Sequence, residues 1–163
     1  MIRANNCLTE NRLSVDGKLL NVILVEDDDG DAKAVRRAFS KAKIANPIHR
    51  FVDGVEAFAF LRGETGTPPE TYVILLDINM PRMNGIEFLE QLRVDPQLSP
   101  AVVFVLTTSN DDRDRTAAYA KHVAGYILKT RAGADFLELI QTLDHFWKIV
   151  EMPNMSRSGQ ETR

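Results

Sequence analysis

Val73-Ile74-Leu75-Leu76-Asp77 is a short run with no polar residue until its last position, where a carboxylate stands. A run this short, apolar and partly β-branched reads as a strand covered on both faces, the habit of parallel sheets. The same form recurs on either side of it. Val22-Ile23-Leu24-Val25 ends in Glu26-Asp27, Val102-Val103-Phe104-Val105-Leu106 ends in Thr107, and Tyr126-Ile127-Leu128 ends in Lys129. Ligands of an open parallel sheet sit outside the carboxyl ends of its strands. The acids, the hydroxyl and the amine should therefore converge on one small site.

The intervening segments supply the crossovers. Ala34, Val35, Ala38, Phe39 and Ala42 recur at intervals of three and four, which predicts an amphipathic helix over residues 31–43. Asn46-Pro47 breaks it, residues 48–52 read as a second strand, and Asp53-Gly54 as a turn. Residues 55–62 form a short helix and the Gly- and Pro-containing residues 63–70 a loop. Ile86, Phe88, Leu89 and Leu92 mark a helix that stops before Pro96. The helix over 111–122 is sparsely apolar, so it is expected to be weakly anchored. The last helix, from Phe136 to Val150, is apolar over a broad face. Five strands alternating with five helices predict an α/β domain with a doubly wound, five-stranded parallel sheet of order 2-1-3-4-5. Residues 1–20 read as a polar N-terminal arm, with Asp16-Gly17 able to turn a hairpin. Residues 21–150 read as the domain and 151–163 as a C-terminal tail, in which Met152-Pro153 ends the last helix and 154–163 are polar and disordered.

Bulk properties exclude several classes. The chain has 163 residues, 44% hydrophobic, with a net charge of −3, so no broad field draws it to nucleic acid or an anionic membrane. No apolar run nears the ~20 residues that span a bilayer. The N-terminus lacks the apolar core of a secretory signal, and the single cysteine, Cys7, fits a reducing cytoplasm. After the last helix only the short tail follows, so the chain is expected to act through protein contacts.

Adjacent carboxylates such as Glu26 and Asp27 repel unless a cation sits between them, and oxygen donors with few neutral partners suit Mg2+. Asp28, Asp29 and Asp31 are assigned instead to the start of the following helix, where its dipole favours acids. Asp77 ends an otherwise apolar strand, a costly place for an idle carboxylate. Beside a cation, Asp77 can attack phosphorus and become an aspartyl phosphate. Thr107 directly follows its apolar run and is preferred over Thr108 as the hydroxyl that donates to a phosphoryl oxygen, while Lys129 supplies a point charge. Such a set answers the needs of a loose, anionic phosphoryl transition state.

Val25-Glu26-Asp27-Asp28, Leu76-Asp77-Ile78-Asn79-Met80-Pro81-Arg82-Met83-Asn84-Gly85, Leu106-Thr107-Thr108-Ser109 and Gly125-Tyr126-Ile127-Leu128-Lys129 together resemble the flavodoxin-like receiver domain of two-component response regulators. The resemblance covers residues 20–150. It implies that Asp77 accepts a phosphoryl group from a sensor histidine kinase, and that Asp27, Glu26, Asp77 and the Asn79 carbonyl hold Mg2+. It further implies that Thr107 and Lys129 contact the phosphoryl group, that Tyr126 is the switch aromatic, and that the protein signals rather than catalyses. Glu-Asp after the first strand, Leu-Thr-Thr-Ser after the fourth and Phe146-Trp147 late in the last helix are similar to single-domain regulators paired with phytochromes, which commonly form homodimers. Phe146, Trp147, Ile149 and Val150 exceed what a one-sided helix needs, so a homodimer is expected through this end.

One position departs from the family. Thr130 stands where a proline in a cis bond usually follows the lysine, and a cis bond to a non-proline costs ~3 kcal/mol. The loop and the aim of Lys129 are therefore expected to differ. Two competing functions follow from the same residues: a Mg2+-dependent phosphatase of the haloacid-dehalogenase class, and an interaction module that works without phosphorylation.

Overall fold

The computed structural model describes residues 14–15, 18–129, 141, 143, 145–146, 149, 151–153 and 155. Two short strands, β1 (Ser14–Val15) and β2 (Lys18–Leu19), pair antiparallel ahead of the main sheet. They flank Asp16-Gly17, the expected turn, whose two residues lie outside the described ones. Leu20, at the end of the expected arm, is already core at 1% exposure.

The main sheet holds β3 (Asn21–Val25), β4 (Ile48–Phe51), β5 (Tyr72–Leu76), β6 (Val102–Thr107) and β7 (Gly125–Leu128). Its spatial order is β4-β3-β5-β6-β7 and every pairing is parallel, the order expected from the sequence. All five residues of β5 are buried, as its uniform apolarity predicts. Alternate strand residues feed two separate cores. Val22, Leu24, Val73, Leu75, Phe104 and Leu106 pack with α1 (Asp29–Lys41), which buries Ala32, Val35, Ala38 and Phe39. Ile23, Val25, Ile74, Leu76, Val103 and Val105 face α2 (Gly54–Leu61), α3 (Gly85–Val94) and α4 (Asp112–Ala120).

Local chemistry sets the helix starts. Asp28, Asp53 and Asn84 are the N-caps of α1, α2 and α3, each accepting a backbone N–H three residues on. Asn84 and Glu87 complete a reciprocal capping box. Asp53 is 2% exposed and also accepts from Arg82 Nε at 2.6 Å. Burial works to raise its pKa, but the bonds from Glu56 N–H and Arg82 outweigh it and hold Asp53 below the ordinary carboxylate value.

The sparse apolar anchoring expected of the fourth helix is what the structure shows, with polar bonds added at both ends. Only Ala118 of α4 is buried, so its apolar grip is indeed slight. Polar bonds supplement it. Arg93 donates to the carbonyls of Lys121 and His122 just past the end of α4, at 2.7 and 2.9 Å. Ser109 Oγ donates to Asp114 at 2.5 Å at the other end.

The C-terminal segment is helical at Gln141, Leu143, His145, Phe146 and Ile149. Leu143 is buried in the α1-side core, and Phe146 meets Phe104 edge-on at 5.7 Å between ring centres. Phe146 is therefore not surplus apolar surface; its ring completes the protein's own core. Ile149 is 83% exposed, while Trp147 and Val150 lie outside the described residues. Met152, at the expected end of the helix, is buried, and the disorder expected over 154–163 does not hold at Met155, whose N–H donates to the Glu70 carbonyl at 3.0 Å. A polar composition hid two methionines that fasten the tail to the core. No helix among the described residues is long and apolar enough to cross a membrane.

Candidate functional site

Register brings the strand ends together. Val25 stands opposite Leu76, so Glu26 and Asp77 leave the sheet side by side. Leu76 stands opposite Val105 and Thr107 opposite Leu128, which places Thr107 and then Lys129 at the same edge. Backbone bonds hold the exits: Asp77 N–H donates to Val25 O at 3.0 Å and Glu26 N–H to Phe51 O at 2.9 Å.

One carboxylate oxygen each of Glu26, Asp27 and Asp77 lies within 4.8 Å of the others. Glu26 and Asp77 are buried and Asp27 is exposed. Glu26 Oε1 accepts from Asp28 N–H at 3.1 Å and Oε2 from Lys129 Nζ at 2.5 Å. Asp77 Oδ2 is 3.6 Å from the same ammonium, and Asp77 Oδ1 is buried with no hydrogen-bond partner among the described residues. An orphaned carboxylate oxygen is expensive and needs a ligand to satisfy it. Asp77, Glu26 and Asp27 together offer three hard oxygen donors, a set that fits a divalent cation.

Burial pushes the Glu26 carboxyl up to about 7, and the charge of Asp77 adds to this, while the Lys129 hydrogen bond works the other way. Burial works to lower Lys129, but the carboxylates of Asp31 and Glu26 outweigh it and keep the ammonium charged.

Thr107 is fully buried and its Oγ1 accepts from Ser109 N–H at 3.2 Å; Thr108 is exposed. That bond leaves the Thr107 hydroxyl proton free to donate elsewhere. Tyr126 is half-buried, its hydroxyl donating to Ser109 O at 3.0 Å. Thr107 and Tyr126 thus share Ser109. Asn79 is exposed on the loop after β5, between Asp77 and the Arg82–Asp53 pair. Thr130, the expected departure point of the fifth-strand loop, lies outside the described residues.

Two contributors escaped the sequence. Asp31, read as a helix-start acid, is in the first turn of α1 but also accepts from Lys129 Nζ at 2.7 Å. Arg50, on β4, donates to Glu26 O and Asp27 O at 3.1 Å each and to Asp29 Oδ1 at 2.6 Å, bracing the acidic loop from outside. Neither has a local signal, because each partner is 21 or more positions away in the chain.

The response regulator receiver domain family matches residues 22–141. Response regulator Rcp1 of Synechocystis sp. (strain ATCC 27184 / PCC 6803 / Kazusa) is 35% identical over 128 residues, covering 77% of this chain and 87% of that protein. The crystal structure of its Mn2+-bound form matches with a TM-score of 0.71 at 33% identity, over 82% of this chain and 98% of that one. The phosphorylated cyanobacterial phytochrome response regulator RcpA matches at 0.72 and 30% identity, over 82% and 98%. A response regulator in red light signaling of R. palustris matches at 0.74 and 30% identity, over 83% and 99%. These likenesses favour a signalling receiver over a phosphatase and over a module that works without phosphorylation. Acids gathered at the carboxyl edge of a 2-1-3-4-5 sheet now have their explanation: the chain belongs to the receiver-domain response regulators of two-component signalling and is homologous to the phytochrome response regulators.

Proposed function

We propose that Asp77 takes a phosphoryl group from the phosphohistidine of a sensor histidine kinase, a phytochrome in the reading its homologues favour, and that the phosphorylated protein signals by protein contacts. The observation that carries this is the buried Asp77 Oδ1, which has no hydrogen-bond partner among the described residues, in an acid cluster with Glu26 and Asp27. An Asp77 oxygen attacks phosphorus, the O–P bond forms as the N–P bond breaks, and the imidazole keeps the electron pair and takes up a proton.

Glu26, Asp27, Asp77 and the Asn79 carbonyl would hold Mg2+, which when bound neutralises charge on the phosphoryl oxygens. The Thr107 hydroxyl donates to one phosphoryl oxygen and the Lys129 ammonium balances another. Movement of Thr107 toward that oxygen draws on its bond from Ser109 N–H, and Ser109 O is the anchor of Tyr126. Tyr126 is thereby the switch residue. Residues 1–20 act as an arm, 21–150 as the receiver and 151–163 as a tail, and the protein works in the cytoplasm without nucleic acid or membrane.

Incubation with acetyl phosphate and Mg2+, followed by intact mass, tests the main reading. One added phosphoryl mass is expected, absent in Asp77→Asn; a wild-type protein that gains none overturns it. The homodimer forms through the end of the last helix, where Ile149 is exposed, and the inward-facing Phe146 supports that helix from within. Sedimentation at tens of micromolar should show a dimer that Ile149→Glu disperses; a wild-type monomer excludes the interface.

A further inference from the structure

Asp31 has no part in the transfer just described, and an acid in the first turn of a helix has an ordinary place beside the dipole. Its side chain does something more specific. Lys129 Nζ divides its hydrogen bonds between Glu26 Oε2 at 2.5 Å and Asp31 Oδ2 at 2.7 Å. The other Glu26 oxygen already accepts from the Asp28 N–H. A cation that takes Glu26 Oε2 draws on the oxygen that the lysine's shortest bond uses, and the lysine's remaining carboxylate, Asp77 Oδ2, stands farther off at 3.6 Å and belongs to the same acid cluster. The lysine side chain is only 13% exposed, and a half-buried ammonium left without a partner is costly. Asp31, at 41% exposure, faces Lys129 from outside the acid cluster and is not one of the three grouped carboxylates.

We propose that Asp31 is a positioning residue: it holds Lys129 when a divalent cation takes Glu26, so that cation binding does not strand the ammonium. The inference rests on Glu26, Asp27 and Asp77 being the cation ligands. The competing account is that Asp31 merely adds one more negative charge to the neighbourhood. Asp28 serves as its control, since it carries the same charge close by but spends its Oδ1 on the Asp31 N–H as the cap of α1.

The test is a titration of the full chain with Mg2+ alone, read by thermal midpoint and by calorimetry, with no phosphodonor present. Asp31→Asn should raise the half-saturating Mg2+ concentration about tenfold, as expected for loss of a close partly buried charge partner. Asp31→Glu should restore most of the affinity. Asp28→Asn, which keeps a good cap, should shift it by about twofold or less. In a Lys129→Met background the Asp31→Asn shift should shrink to that same small value, because the effect runs through the lysine. Equal Asp31→Asn shifts with and without Lys129, or a matching shift from Asp28→Asn, would overturn the inference; the second comparison stands even if Lys129→Met fails to fold. A wild-type chain that binds no Mg2+ at millimolar concentration would instead fell the assignment of the ligands themselves.

Discussion

Gly85→Ala is expected to destabilise the protein by about 3 kcal/mol and to cut the yield of phosphorylated protein, although alanine is the better helix former. Gly85 opens α3, where helix propensity alone would favour the change by up to ~1 kcal/mol. Contact decides otherwise. A Cβ here would lie 2.8 Å from the Ile78 Cα and closer still to the carbonyl oxygen of Asp77. Both are backbone atoms, so no side-chain rotation relieves the clash. The Gly85 N–H also donates to Ile78 O at 2.8 Å, so the helix start cannot simply swing away. The strain must move the backbone of Asp77 and Ile78. Urea denaturation with and without Mg2+ reads the stability loss, and intact mass after acetyl phosphate reads the site. Gly30→Ala is the contrast: its Cβ would meet only a side-chain oxygen of Asp28, at 3.1 Å, and a near-neutral result is expected. A Gly85→Ala protein as stable and as readily phosphorylated as wild type would refute the packing argument.

The sequence discloses what is encoded locally. Strands buried on both faces announce themselves by unbroken apolar runs, and their order follows from crossover handedness. Once the order is known, Glu26, Asp77, Thr107 and Lys129 must share one edge. Thr107 over Thr108 is also legible, because one residue of alternation separates the buried hydroxyl from the exposed one. What stays hidden is polar bonding at a distance. Asp31 looks like any acid at a helix start, and nothing near it in the chain points to Lys129, 98 positions on. Arg50 reads as a routine strand residue until β4 lies beside β3 and its guanidinium reaches the carbonyls of Glu26 and Asp27. Gly85 could be placed in a motif, but only the closeness of the Asp77 carbonyl gives it a physical reason. Met152 and Met155 were hidden by the polar residues around them.

Arg93→Met should cost about 3 kcal/mol and loosen α4 more than any other element. The guanidinium donates to Ser99 O at 2.6 Å, Ala101 O at 2.8 Å, Lys121 O at 2.7 Å and His122 O at 2.9 Å. Hydrogen bonds from a charged group contribute about 1.5–3 kcal/mol each when their loss leaves the partner unsatisfied. Arg93 is half-buried, so water repairs part of the loss and the total stays well below four times that figure. Methionine keeps the stem packing, which isolates the polar contribution. Arg93→Lys is not a rescue, because a single ammonium cannot span four carbonyls that a planar fork reaches together. Two of these carbonyls belong to the segment that ends α4, a helix that buries only Ala118. Hydrogen exchange should therefore quicken in residues 112–120 before it does in β5 or β6, and the denaturation midpoint should fall. Uniform exchange across the domain would mean that α4 is held by something other than Arg93. Because α4 follows directly from Thr107 and Ser109, and Ser109 O anchors Tyr126, loosening it should also weaken the hold on the tyrosine ring. The anchor at the far end of α4 is thus expected to help set how firmly the Tyr126 ring is held, although the carbonyls that Arg93 bonds lie outside the acid cluster.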